Sequence, residues 1–177
     1  MDYTNYNKRT YNPKKAVKNF TDLEVYQKSL EAGVFIANAI FKVFQEKQKK
    51  AIKESSANKN AKKNIETKDL VNEISDVKEY VIKNMIACAL SIPHLIAESH
   101  SNRFGSSEKC LLMLDQVMLN CNKMVVYLEQ TRDICETELE VEQFEEQTKK
   151  YFYIRRKVLN LQRVWRKYIK INKDEGK

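Results

Sequence analysis

The sequence predicts an all-α protein, an up-down-up-down four-helix bundle, from three observations. Apolar residues recur every three or four positions over long stretches, which is the spacing of a helix face and not the alternation of a strand. Glycine and proline number 3 and 2 in 177 residues, too few for the turns of a sheet protein of this length. Charged residues make up 32% and apolar residues 42%, the balance expected of helices that bury one face and wet the other. The expected organisation is a flexible basic arm over residues 1–19, one bundle over 20–171 with a mobile connection at 45–68, and a tail at 172–177.

The arm is rich in Tyr, Asn and Lys and has no apolar period. The first helix then opens on Thr21-Asp22-Leu23-Glu24, the pattern of a capping box, with Phe20 and Val25 as its hydrophobic staple. Its core face reads Leu23, Leu30, Val34, Ala37, Phe41 and Phe44, and Gly33 beside it suits a close helix contact. From residue 45 to 68 the apolar period fades into a Lys-, Asn- and Ser-rich connection whose first part is helical.

The second helix runs from about Asp69 to His100 on Leu70, Ile74, Val77, Val81, Met85, Cys88, Ile92 and Leu95, with a second stripe of Ile82, Ile86, Ala89 and Ile96. Pro93 lies inside it. A proline there removes the hydrogen bond to the Ala89 carbonyl and costs roughly 3 kcal/mol in an exposed helix, yet the apolar spacing continues through it, so a kinked second helix is expected. Asn102-Arg103-Phe104-Gly105 forms the next turn, and Ser106 or Ser107 caps the third helix, built on Leu111, Leu114, Met118, Cys121, Val125 and Leu128, with Met113, Val117 and Met124 widening its face. Thr137-Glu138-Leu139-Glu140 reads as a second capping box, opening a fourth helix on Phe144, Tyr151, Ile154, Val158, Leu161, Trp165 and Tyr168. The wide second and third faces exceed the needs of one bundle core, and self-association or a partner protein would use the surplus.

Several function classes are excluded or disfavoured. No apolar run approaches the ~18–20 residues of a membrane span, and Met1-Asp2-Tyr3-Thr4-Asn5 lacks the order of a signal peptide, so a cytoplasmic protein without a membrane partner is expected. Cys88, Cys110, Cys121 and Cys135 contain no C-x-x-C pair, and reduced thiols are expected. No Glu-x-x-His pair stands on any helix, so the di-metal bundle chemistry lacks its ligands. His94 and Glu98 can meet at i, i+4, either as two metal ligands or as an ordinary polar pair, and no third ligand accompanies them. The Arg-x4–6-His signature of helical-bundle ribonucleases is missing, as are phosphate-binding glycine loops and nucleophile motifs. Neither an enzyme nor a cofactor is expected.

The net charge of +8 is unevenly spread. Residues 1–19 carry five Lys/Arg against one Asp, residues 135–148 carry six Glu and no base, and residues 149–177 carry eleven Lys/Arg against two acids. On the fourth helix Lys149, Arg156, Arg163, Lys167 and Lys170 fall within about 60° of one another, opposite Trp165, and Arg155, Lys157 and Arg166 thicken the row. Such a row either tracks a phosphate backbone, releasing counterions, or merely solvates the helix and complements its dipole; the near absence of acids favours the first. In the arm, Lys8, Arg9, Lys14 and Lys15 alternate with Tyr3, Tyr6 and Tyr11, a mixture that suits unpaired RNA bases and that disordered tails also show.

Phe20-Thr21-Asp22-Leu23-Glu24-Val25-Tyr26-Gln27-Lys28, then Ser91-Ile92-Pro93-His94-Leu95-Ile96-Ala97-Glu98, then Ser107-Glu108-Lys109, resembles the bacterial four-helix-bundle proteins of the 23S rRNA intervening-sequence type, which are related to the accessory variability determinants of diversity-generating retroelements. The resemblance spans roughly residues 20–44 and 70–170. It implies a bundle that assembles as a homopentameric barrel with a basic surface, and, in the retroelement branch, one that binds a reverse transcriptase and its structured RNA in support of mutagenic cDNA synthesis. The family's A-E-G-x-G-R pattern is replaced here by Ser99, His100, Ser101, Asn102 and Arg103, where Arg103 supplies the arginine. The expected function is a non-enzymatic RNA-binding scaffold for a reverse transcriptase; the alternatives are an intervening-sequence protein engaging ribosomal RNA, or a purely protein-binding oligomer.

Overall fold

A computed structural model describes the backbone of residues 19–57, 65–135, 137 and 139–175, with the side chains of these except 40, 41, 43–57, 65–74 and 170–175. Four helices follow a 3-10 turn at Phe20–Asp22: α1 (Glu24–Ala57), α2 (Ile65–Asn102), α3 (Ser107–Ile134) and α4 (Val141–Glu175). Among the described residues there is no strand. α2 packs against α1 and α3, α3 against α4, and α4 against α1, which closes the ring of a four-helix bundle. The connections α2–α3 and α3–α4 are short, so those neighbours run antiparallel.

The predicted connection at 45–68 is partly helix, since α1 reaches Ala57 and α2 starts at Ile65. Lys, Glu, Gln and Ala dominate there with neither Gly nor Pro, and these residues favour helix even where no apolar face is present to pack. The predicted arm, with Lys8, Arg9, Lys14 and Lys15, lies outside the described residues.

The start of α1 is capped differently from the sequence expectation. Asn19, not Thr21, is the cap: its Oδ1 accepts from the Thr21 amide at 2.7 Å, and Asp22 accepts from the Asn19 amide at 3.2 Å. The 3-10 turn of Phe20–Asp22 moves the box two residues upstream. Glu24, released from capping, reaches α4 instead, where Lys157 meets it at 2.8 Å and the Tyr153 hydroxyl donates to it. Phe20 packs on Tyr26, ring centroids 5.0 Å apart. Likewise α4 begins at Val141, not at Thr137; the Glu140 amide donates to Gln143 Oε1 at 2.9 Å.

The face assigned to α1 is also corrected. Leu30 and Val34 are 41% and 44% exposed, while Val25, Ser29, Ala32 and Ile36 are buried. The inward side of α1 includes, beside Val25 and Ile36, the small residues Ser29, Ala32 and Gly33, which hydropathy does not mark as core. Their function is close approach. A methyl placed on Gly33 would lie 3.2 Å from the Ala89 carbonyl oxygen of α2, the same carbonyl that Pro93 deprives of its helical donor. Pro93 is buried and α2 is continuous through it. Helix α2 buries both predicted stripes in part: Val81, Ile82, Met85, Ala89, Ile92 and Ile96 are in the core, whereas Val77 is exposed. In α3, Val117 and Met124 join Leu114, Cys121 and Leu128 inside. Part of the width of both faces is used within one bundle, because α2 lies between α1 and α3, and α3 between α2 and α4; Leu70 and Ile74 lie outside the described side chains.

Polar groups cross-link the packed faces. Ser99 donates to the Cys110 carbonyl at 2.9 Å and ties the end of α2 to the start of α3. Asn120 donates to Ser91 at 2.9 Å, and Gln162 of α4 donates to Asp115 of α3 at 2.7 Å. Tyr151 is fully buried, but its hydroxyl has no protein partner. Burial raises its phenol well above the ordinary tyrosine range.

Two outcomes follow. Replacing Gly33 by Ala forces a shift of only a few tenths of an ångström, which the gain in helix propensity of about 1 kcal/mol largely offsets; replacing it by Val overpacks the crossing and lowers stability by about 2 kcal/mol in urea unfolding. Tyr151→Phe removes a buried hydroxyl that makes no hydrogen bond, so its stability at neutral pH is unchanged or about 1 kcal/mol higher. Above pH ~10 the unfolded phenol ionises while the folded one stays neutral, so the parent loses stability as pH rises further, and Tyr151→Phe loses less.

Candidate nucleic-acid interface

Helix α4 carries two opposed faces. Inward lie Phe144, Gln147, Tyr151, Ile154, Val158 and Gln162, all buried. Outward lie Lys149, Arg156, Arg163 and Lys167, all exposed, as their seven- and four-residue spacing requires. From Glu146 to Asp174 there is no intervening acidic residue, so no carboxylate one turn away on α4 neutralises Arg156, Arg163, Arg166 or Lys167. Lys149, nearer the acidic start of α4, has Glu145 at 3.5 Å. Arg166 is exposed at the edge of the row, and the Arg156 guanidinium lies 5.7 Å from the centroid of the Tyr153 ring.

Two expected members of the row are occupied otherwise. Arg155 and Lys157 sit about 100° to either side of Arg156, at the shoulders of the core. Lys157 is half-buried and bridged to Glu24 at 2.8 Å; the Glu24 hydrogen bond first, and that of Tyr153 next, raise its ammonium above the ordinary lysine value. Arg155 is half-buried, with an inward Nε that has no protein partner. Its charge acts on Cys121, whose thiol burial pushes up to about 12. The side chain of Lys170 lies outside those described.

Arg103 is remote from the middle of the row. It stands in the turn between α2 and α3, at the end of the bundle reached by the last turns of α4. Its guanidinium donates to the His100 carbonyl at 3.0 Å, lies against the His100 ring, and covers the Phe104 ring at 4.3 Å. His100 is buried between Phe20 and Trp165, at 6.4 and 6.2 Å between ring centroids. Burial first, and the Arg103 charge second, lower the His100 pKa below its ordinary 6.5. Between this turn and α4 opens a cavity of about 290 Å³ lined by Arg103, Phe104, Cys110, Trp165, Tyr168 and aliphatic residues.

The other chemistry considered in the sequence finds no site. His94 is exposed, and Glu98 pairs with Lys109 at 3.5 Å. Among the described residues, no three His, Cys, Asp or Glu side chains gather as metal ligands. The four cysteines are free thiols. The Ser75–Asn102 part of α2 is, contrary to the sequence reading, long and apolar enough to cross a membrane, with a mean hydropathy of 1.4; of its apolar residues, Ile82, Met85, Ala89, Ile92 and Ile96 pack into the bundle core, while Leu90 is exposed.

No family model, curated protein or solved structure matches this chain. The basic row was legible in the sequence from spacing alone. The cavity was not, because Trp165 and Tyr168 continue the heptad of α4 and were assigned to the core, whereas Tyr168 is 63% exposed.

The neutral, buried His100 makes a pH-dependent contribution with a fixed sign. Its folded pKa is depressed, so below the unfolded value of about 6.5 the unfolded chain takes up a proton that the folded chain refuses, and stability falls with falling pH until the folded pKa is passed. The urea midpoint followed by Trp165 emission is expected to decline from pH 7 to pH 5, and to decline less in His100→Gln.

Proposed function

We propose that this chain is a non-enzymatic, RNA-binding accessory protein of the cytoplasm, of the 23S rRNA intervening-sequence type, and that it scaffolds a reverse transcriptase and its structured RNA in a diversity-generating retroelement. One observation carries the RNA reading: Arg156, Arg163 and Lys167 stand exposed in line along α4, with Arg166 at their edge, and no acid lies among them. A row of this length matches successive phosphates, and each cation engaged releases counterions. The retroelement part of the reading is supported by the motif resemblance at Phe20–Lys28, Ser91–Glu98 and Ser107–Lys109.

Assembly into a pentameric barrel belongs to the same proposal. The apolar residues available to it are those left outside the core: Leu112, Leu119 and Val126, at seven-residue spacing on α3, are 68%, 48% and 51% exposed, and Leu30 and Val34 on α1 are similarly open. A bend of α2 at Pro93 would turn its two ends toward different neighbours. Repeated basic rows on such a ring would hold an RNA through many weak contacts, so that avidity exceeds the affinity of any one row.

The test is a salt titration of RNA binding by the full chain. Affinity is expected to fall steeply with salt. Arg156→Glu, Arg163→Glu and Lys167→Glu together should reduce the slope of log K against log salt by about 2–3, close to one per lost phosphate contact. Absence of RNA retention at low salt would sink the reading. Reconstitution with a reverse transcriptase encoded beside this gene tests the retroelement assignment separately.

A further inference from the structure

The cavity between the Asn102–Gly105 turn and the end of α4 combines features that the basic row alone does not explain. Its volume is about 290 Å³, and three aromatic side chains from two elements line it: Phe104 from the turn, Trp165 and Tyr168 from α4. Phe104 is 86% and Tyr168 63% exposed, so two large aromatic faces border the opening with no cover from the bundle. Arg103 is the one charged side chain in the lining. It is held over the Phe104 ring at 4.3 Å and fastened to the His100 carbonyl at 3.0 Å, which keeps a cation and spare N–H donors beside an aromatic wall.

The surroundings of the cavity select among flat apolar ligands. The α4 lining residues Val164, Trp165, Tyr168 and Ile169 span an arc of about 140° at 100° per residue. Lys167 lies about 60° beyond one edge of that arc and Arg166 about 60° beyond the other, both exposed. A ligand with its planar part between the aromatic rings would thus carry groups flanked by cations on both sides. A nucleotide within a single strand has this form: a flat base, and a phosphate before and after it. A fatty carboxylate offers one anionic end and no planar face. Cys110 also lines the cavity, and burial raises its thiol above the ordinary cysteine value.

We propose that this cavity receives one unpaired nucleobase of single-stranded RNA, stacked among Phe104, Trp165 and Tyr168, while Arg166 and Lys167 engage the adjoining phosphates. The proposal rests on the RNA-binding reading and narrows it to strands with a base free to leave the stack, since a base held in a duplex cannot enter.

Trp165 is the single tryptophan, so its emission reports on the cavity directly. The full chain is titrated at low salt with oligouridylate and with a blunt RNA duplex of equal length, with binding followed by anisotropy of a labelled strand and, in parallel with unlabelled RNA, Trp165 emission. The expected result is that oligouridylate binds and quenches Trp165 by half or more, whereas the duplex binds without quenching. Phe104→Ala with Tyr168→Ala, at two exposed positions outside the core, should weaken oligouridylate binding about tenfold or more and leave duplex binding within twofold. Circular dichroism checks that the variant is folded. Binding of oligouridylate with unchanged Trp165 emission, or equal weakening of both RNAs in the variant, overturns the base pocket and leaves the RNA-binding reading intact. Failure of both RNAs to bind overturns that reading and the pocket together, and failure of oligouridylate alone overturns the pocket. Quenching by decanoate but not by oligouridylate also overturns the proposal, and assigns the cavity to an apolar carboxylate.

Discussion

At Gly33, α1 meets α2 so closely that a single methyl would stand 3.2 Å from the Ala89 carbonyl oxygen, and the rest of the bundle is arranged around that approach. Pro93 leaves this carbonyl without its helical partner, at the point where the neighbouring helix has no side chain to offer it cover or obstruction. Ser29 and Ala32, small residues that precede Gly33 on α1, are also fully buried. A close pair on one side of the ring lets the larger side chains, Met85, Ile92, Leu114, Met124, Tyr151 and Ile154, fill the space between α2, α3 and α4. The same rotation of α1 that brings Gly33 inward carries Leu30 and Val34 outward. Exposure of apolar residues on α1 is thus a consequence of the crossing and not an independent feature.

This crossing also explains which parts of the fold were legible in the sequence. The middle of helix α4 is legible in the sequence because its core residues there are large and regularly spaced: Phe144, Tyr151, Ile154 and Val158 are all buried. The basic row was legible for the same reason, being the complement of that face. Helix α1 was misread because hydropathy rewards size. Leu30 and Val34 outweigh Ser29, Ala32 and Gly33 on any apolar scale, yet small residues are what a close crossing needs. The two capping boxes fit their pattern by residue type, but both helices start elsewhere. At α1 a 3-10 turn gave the cap to Asn19, and Glu24 gained more from Lys157 and Tyr153 across the bundle than from its own amide. Such choices depend on what a side chain meets in three dimensions, which spacing along one helix does not encode.

Charge is sorted along α4 by the same contacts. Its first turns hold Glu142, Glu145 and Glu146, near the positive end of the helix dipole, and Glu146 and Glu31 of α1 take up Lys150 at 3.0 and 3.8 Å. Lys157 is taken up by Glu24. These pairs are exposed or half-exposed and contribute little stability individually, but they remove from the surface the cations nearest α1. Past Lys157 no carboxylate remains along α4 until Asp174. The outer positive potential is therefore confined to one face and grows toward the C-terminal turns, where Arg163, Arg166 and Lys167 cluster. A mixed face would have been sufficient for solvation. Concentrating like charges within a few turns costs self-repulsion, which an anionic partner relieves.

The end of the bundle where that potential is strongest is also where packing is least complete. Leu161 and Trp165 are only partly buried and Tyr168 is largely exposed, so the heptad of α4 runs on past the core it serves. The aromatic residues there are held in position without being covered: Trp165 by His100, and Phe104 by Arg103. His100 can serve as this support because it is neutral. A protonated ring would place a second positive charge beside the Arg103 guanidinium, and burial first, with that charge second, holds the His100 pKa below its ordinary value. That position links the support of the aromatic cluster to pH through His100. The row and the cavity are thus built differently: the row from exposed cations along the outer face of α4, the cavity from aromatic side chains held by neighbours at one end of the bundle.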